Sequence, residues 1–152
     1  MANTYSQIYI QIVFAVKDRY SLICPMWENK LYKYITGIVK NKNQKLLVTN
    51  GMPDHIHLFI SMTPDCNLSD LVREIKKSSN SYIKENRFSR LKFSWQEGFG
   101  AFSYSRNQID EVAQYILNQK KHHKIKSFKE EYICFLDEFQ IDYNPKYLFN
   151  WV

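Results

Sequence analysis

Residues 45–62 read KLLVTNGMPDHIHLFISM, and the fold turns on how this stretch is divided. Two short apolar runs flank Asn50-Gly51, a dipeptide favoured in tight hairpin turns because both positions tolerate positive φ. The stretch is therefore expected to form two antiparallel strands joined at Asn50-Gly51. Side chains two residues apart on a strand point the same way, about 6.6 Å apart along it. His55 and His57 thus share one face, and Ile56 and Leu58 share the other. Only four histidines occur in the chain, so placing two of them on one strand face asks for a chemical reason.

Upstream, SQIYIQIVFAV alternates Ile8, Ile10, Ile12 and Phe14 with Gln7, Tyr9, Gln11 and Val13, the period of two that marks a strand. Pro25 then opens a segment in which Trp27, Leu31, Tyr34, Ile35 and Ile38 recur at helical spacing. Downstream, Asn67 or Ser69 can cap a helix whose apolar stripe is Leu68, Leu71, Val72, Ile75, Tyr82 and Ile83. LKFSWQEGFGAFSYS (91–105) reads as a second strand pair joined near Gly98 and Gly100. A third helix is expected from about Asn107 to Lys124. A fourth starts at Ser127, whose spacing to Glu130 is that of a capping box, and turns Phe128, Tyr132, Phe135, Leu136 and Phe139 inward. The order βαββαββαα predicts an α+β, ferredoxin-like or RRM-like sandwich: an antiparallel sheet of four to five strands with helices packed on it.

With 152 residues, 45% of them hydrophobic and 16% aromatic, the chain reads as one globular domain over 1–152, with 141–152 as a tail of no assigned role. The formal net charge of +6 favours an anionic partner, of which nucleic acid is the commonest. Cys24, Cys66 and Cys134 are odd in number and widely separated, which excludes a disulfide framework and suggests a reducing compartment. No window approaches the roughly 18 apolar residues of a membrane span, and the start lacks a secretory pattern. A cytoplasmic location and no membrane partner are expected.

Two histidines are too few ligands for a metal, so the reading depends on the third helix. At about 100° per residue, its apolar face is Ile109, Val112, Ala113 and Ile116. Tyr115 and Gln119 lie together along the edge of that face, in one polar stripe with Gln108, Glu111 and His122, and their spacing of four stacks them. A phenol has a pKa near 10 and is a weak nucleophile unaided. A cation on a scissile phosphate supplies Lewis acidity and orients the phosphorus for attack. Two imidazoles and an amide oxygen, completed by water and phosphate oxygens, suit Mg²⁺ or Mn²⁺; no cysteine stands at ligand spacing, which disfavours zinc.

HIH on a strand followed by YILNQ on a later helix resembles the single-tyrosine HUH (histidine–hydrophobe–histidine) transposases of the insertion sequence 200/605 family. IVFAVKDRY is similar to that family's first strand, GMPDHIHLFI to its metal strand, WQEGFGAFSYS to the hairpin before the tyrosine helix, and FKEEYICFLDEFQIDY to its closing helix and tail. The resemblance implies that His55, His57 and Gln119 hold the metal. It implies that Tyr115 attacks a DNA phosphate, forming a 5′-phosphotyrosine link and releasing a 3′-OH. It further implies single-stranded DNA with hairpin ends as substrate, and a homodimer with active sites shared between subunits.

Basic residues accompany this set. Arg73, Lys76, Lys77 and Lys84 ride on the second helix, and Arg87, Arg90 and Lys92 follow it. Lys120, Lys121, Lys124 and Lys126 crowd the region beyond Gln119. Beside a phosphate-transfer site they read as backbone contacts. His122 and His123 read as phosphate contacts rather than ligands. Three alternatives remain: a replication initiator or relaxase, for whose further domains the chain has little room; a domesticated protein that binds DNA or RNA hairpins without cutting them; and a metal-dependent hydrolase using the histidine pair, which would leave no protein attached to its product.

Overall fold

The central strand of the sheet, β1 (Tyr9–Ala15), pairs antiparallel with β3 (His55–Ser61) on one side and β4 (Gly100–Tyr104) on the other. The outer strand β2 (Lys45–Met52) pairs antiparallel with β3, so the sheet runs β2-β3-β1-β4. The computed structural model describes residues 3–151, apart from the side chain of Arg19; the domain bounds of 1–152 extend past these at both ends. Helices α1 (Glu28–Asn41), α2 (Leu68–Glu85), α3 (Ile109–Leu117), α4 (Gln119–His122) and α5 (Phe128–Glu138) complete the chain. The α+β class and the antiparallel sheet expected from the sequence are those observed, with four strands.

Register sorts the two faces of the sheet. Ile12 lies opposite Leu58 and Phe14 opposite Ile56, and these side chains point one way. The Lys76 ammonium of α2 lies 5.2 Å from the Phe14 ring centroid, which places α2 on this face. On the other face Gln11 lies opposite Phe59, Val13 opposite His57 and Ala15 opposite His55. There Phe59 packs with Val112 and Ile116 of α3, and His55 stacks on Phe128 of α5. The first face is apolar at its centre, where Ile12, Phe14, Ile56 and Leu58 are buried, whereas the second buries two imidazoles.

Three features depart from the sequence expectation. Asn50 and Gly51 belong to β2, opposite His57 and Ile56, and the turn falls at Pro53-Asp54. Gly51 is demanded by close approach instead: a Cβ there would collide with the His55 carbonyl oxygen. The stretch around Trp95 is not a fifth strand. It makes a single bridge to Val16, flanked by Lys17 N–H to Ser94 O (2.9 Å) and Gln96 N–H to Ala15 O (2.8 Å), beyond the end of β4 on the same edge of β1. The long third helix is divided at Asn118, whose φ of −93° and ψ of 13° leave the helical region.

The helix caps follow local chemistry. Asn67 accepts the Asp70 N–H at the start of α2, and Ser127 with Glu130 forms a full capping box at α5. Just past the C-caps of α1, α2 and α5 stand Asn43, Arg87 and Gln140, each with positive φ, the left-handed conformation that closes a helix C-terminus.

Candidate active site

Strand pairing fixes the histidines. His55 and His57 are fully buried on β3, their ring centroids 5.1 Å apart. Each ring is oriented through Nδ1. Asp54 Oδ1 lies 2.7 Å from His55 Nδ1 and Gln11 Oε1 lies 2.7 Å from His57 Nδ1. Gln11 in turn donates from Nε2 to the Tyr104 hydroxyl at 2.9 Å. An acceptor at Nδ1 leaves Nε2 to face the centre of the site, the arrangement that commonly orients a metal-binding imidazole.

The two Nε2 atoms converge on one carboxylate oxygen. Glu131 Oε1, on α5, is 3.3 Å from His55 Nε2 and 3.1 Å from His57 Nε2. Gln119 is also fully buried; its Oε1 lies 3.1 Å from His55 Nε2 and its Nε2 donates to Glu131 Oε2 at 2.8 Å. His123 Nε2 completes the ring, 3.0 Å from Gln119 Oε1 and 3.2 Å from Glu131 Oε1. The Tyr115 hydroxyl donates to Glu131 Oε2. One carboxylate therefore links the histidines, the amide and the phenol.

The division at Asn118 sets the positions of Tyr115 and Gln119. Asn50 Nδ2 donates to the carbonyls of Ile116 and Leu117, both at 3.1 Å. Lys120 Nζ donates to Gly51 O at 2.8 Å and pairs with Glu28 at 3.0 Å. Strand β2 thus clamps the helix on each side of the break, with Tyr115 before it and Gln119 after it. His122 stacks on the Tyr115 ring, centroids 4.5 Å apart, and so helps to hold the nucleophile candidate. A cleft of about 240 Å³ opens beside the phenol, lined in part by Gln11, Tyr104, Glu111 and Glu131.

Electrostatics reflect this packing. Burial raises the Tyr115 hydroxyl above its usual pKa, and the charge and hydrogen bond of Glu131 raise it further. Burial works against charging His55, but Asp54 and Glu131 outweigh it and hold His55 above its usual value. His57 goes the other way, because burial exceeds the attraction of Glu131. Burial disfavours the Glu131 carboxylate, yet the surrounding histidines hold it well below the usual carboxylate range.

Ligand atoms of His55, His57 and Glu131 all lie within 4.8 Å of one another, and Gln119 Oε1 stands beside them. Two imidazole nitrogens with carboxylate and amide oxygens form a donor set that fits a divalent cation. The structure thus brings together all four residues expected from the sequence, His55, His57, Tyr115 and Gln119, within a single chain. Sequence reasoning missed Glu131, and it read His123 as a phosphate contact although its side chain is 6% exposed and faces Glu131. The one available signal for Glu131 was its spacing: it falls three residues after Phe128 and four before Phe135, on the inward stripe of α5.

The basic residues divide. Lys76 Nζ donates to Gln96 O and Gly98 O, both at 2.7 Å, and Lys120 is committed to β2. Burial lowers the Lys76 pKa to about 8. Arg73, Lys77, Lys84, Arg87 and Arg90 are exposed, as are Lys121 and Lys124.

Residues 4–119 match the family model described as IS200-like transposase. Over 118 residues the chain is 21% identical to the ISDra2 transposase TnpA of Deinococcus radiodurans, covering 74% of this chain and 84% of that protein. A crystal structure of a candidate transposase from Deinococcus radiodurans R1 superposes with a TM-score of 0.63 at 19% identity, over 78% of this chain and 95% of that one. A REP-associated tyrosine transposase bound to a REP hairpin superposes with a TM-score of 0.62 at 18% identity, over 81% and 73%.

Proposed function

Because this chain belongs to the IS200-like transposase family, we propose that it cuts and rejoins single-stranded DNA through a covalent bond to Tyr115 at a divalent-cation site. The observation that carries the reading is the convergence of the Tyr115 hydroxyl, both histidine Nε2 atoms and Gln119 on Glu131. A bound Mg²⁺ or Mn²⁺ supplies Lewis acidity to the phosphate and helps align it for in-line attack. His55, His57 and either Gln119 or Glu131 are the residues that hold it, with Asp54 and Gln11 orienting the two rings.

The chain's own part is placement and proton handling. His122 stacking and the Asn50 clamp hold the phenol at the mouth of the cleft. The Tyr115 O–H is hydrogen-bonded to Glu131 Oε2, the acceptor nearest to the departing proton. Tyr115 oxygen forms a bond to phosphorus, the bond from phosphorus to the 3′-oxygen breaks, and that oxygen takes up a proton as a free 3′-OH. The 5′-phosphotyrosine keeps the energy of the broken linkage, so a 3′-OH can attack it in the reverse sense and rejoin strands without ATP. The three free cysteines suit a reducing, cytoplasmic setting, and no helix among the described residues is long and apolar enough to cross a membrane.

The test incubates the protein and Mg²⁺ with labelled single-stranded DNA from its own gene's flanks, then separates products under denaturing conditions. A labelled band at protein plus DNA mass is expected for the wild type and none for Tyr115→Phe. An adduct that survives Tyr115→Phe assigns the nucleophile elsewhere. Cleavage with no adduct identifies a hydrolase.

A further inference from the structure

Three adjacent strands each lend one side chain to a row that runs from the cleft into the His55–His57 centre. Gln11 on β1 lies opposite Phe102 of β4 and Phe59 of β3. Tyr104 and His57 stand two residues from those partners, so they share the face of Gln11 as its diagonal neighbours, within reach of a long side chain. Gln11 Nε2 donates to the Tyr104 hydroxyl at 2.9 Å, and Gln11 Oε1 lies 2.7 Å from His57 Nδ1. Gln11 is 1% exposed, so water does not stand in for either partner.

The two histidines are oriented by chemically different groups. A carboxylate only accepts hydrogen bonds, so Asp54 by itself draws the proton of His55 to Nδ1. A side-chain amide can present either its oxygen or its NH₂, so Gln11 by itself leaves His57 undecided. Burial keeps His57 below its usual pKa; what matters is therefore which nitrogen carries its single proton. The rival tautomer is well provided for. With the amide turned over, Gln11 Nε2 would donate to a bare Nδ1, and an Nε2–H would donate to Glu131 Oε1, 3.1 Å away. That state blocks Nε2 as a ligand, because a metal needs the bare nitrogen. The Tyr104 oxygen, as acceptor for the Gln11 NH₂, favours the observed state. Its own proton is left for the cleft, which Glu111 and Glu138 also line.

We propose that Tyr104 is a positioning residue: through the Gln11 amide it holds His57 with its proton on Nδ1 and Nε2 free for a divalent cation. The inference rests on the cation site of the proposed function and not on strand cleavage. Tyr104→Phe isolates the hydroxyl, since the ring stays packed edge-on against Phe59 and Phe139, at 5.9 and 5.4 Å between centroids. Loss of that acceptor leaves a buried NH₂ unpaired, and orphaned buried N–H groups are rarer than under-satisfied carbonyls. The amide should then turn over and carry the tautomer of His57 with it.

The experiment reads the His57 tautomer from long-range proton–nitrogen NMR correlations of the labelled, chelator-treated protein, with His57→Gln to assign the signals. Mn²⁺ affinity is measured in parallel by calorimetry. Wild type should show the Nδ1–H tautomer. Tyr104→Phe should shift His57 toward Nε2–H and weaken Mn²⁺ binding by about 10–100-fold, the range for groups that orient a ligand. Gln11→Glu supplies the decisive comparison: its carboxylate fixes Nδ1–H as Asp54 does at His55, so adding Tyr104→Phe to it should change neither tautomer nor affinity. An equal loss in both backgrounds would mean that Tyr104 acts by packing and would overturn the relay. If Gln11→Glu does not fold, the tautomer in Tyr104→Phe alone decides, and an unchanged Nδ1–H signal overturns the inference. Wild-type Mn²⁺ binding that is indifferent to Tyr104 overturns this inference and leaves the cation site standing. A tautomer that follows Tyr104 in a protein that binds no Mn²⁺ overturns the cation reading alone.

Discussion

Strand β3 presents two faces with opposite economies. Ile56, Leu58 and Ile60 point into an apolar layer under α1 and α2, where stability comes from area removed from water. His55, His57 and Phe59 point toward α3 and α5, where two buried imidazoles are tolerated only because Asp54, Gln11, Gln119 and Glu131 satisfy them. Burying polar groups gains little net free energy even when they are paired. The first face therefore sets how firmly the chain folds, and the second sets what it can do.

That contrast can be broken in graded ways. The largest expected effect is on chemistry: His57→Ala should reduce the DNA adduct below detection on denaturing gels, and excess Mn²⁺ should not restore it fully. Its cost in stability, from the orphaned Gln11 oxygen, should be about 1–3 kcal/mol. On the opposite face, Leu58→Ala should cost about 2–5 kcal/mol by denaturant unfolding while leaving Mn²⁺ affinity of the folded protein unchanged; a large loss of affinity there would mean the faces are not separable. Glu131→Gln keeps the volume and removes the charge. It should weaken Mn²⁺ binding by about 10–100-fold in calorimetry, and no change would leave Gln119 as the third ligand.

Smaller still is a pH effect. His55 is held above its usual 6.5 and must lose its proton to bind metal, so Mn²⁺ affinity should rise as pH climbs through that range and then level off. His57, already shifted below 6.5, should add little to the slope. A flat profile between pH 6 and 8 would show that His55 carries no proton to be displaced. The cis arrangement has its own test: mixing Tyr115→Phe with His57→Ala should not restore adduct formation, whereas restoration would show that copies share sites as the family resemblance implies.

Much of this was legible because period two and the spacing of four are local. The register of HIHLFI placed His55 and His57 together, and Tyr115 and Gln119 met through helical geometry that survives the break between them. What was hidden depends on distant groups. The break at Asn118 has no glycine or proline to announce it and is stabilised by Asn50, 68 positions earlier. That same Asn50, paired with Gly51, imitated a turn, although Gly51 is there to let the His55 carbonyl approach. Trp95 has strand-like neighbours but finds only Val16 to bridge. Glu131 falls on the inward stripe of α5 but also in the acidic first turn of a capped helix, and nothing local says that its carboxylate meets three histidines.

The most direct measurement is peptide mapping by mass spectrometry after the protein has reacted with single-stranded DNA from its element's ends, with Mg²⁺ and with chelator. A nucleotide adduct on the peptide containing Tyr115, present with Mg²⁺ and absent with chelator, is the expected result. An adduct on any other residue, or one on Tyr115 that forms equally well without metal, would contradict the coupling of this phenol to the His55–His57 centre.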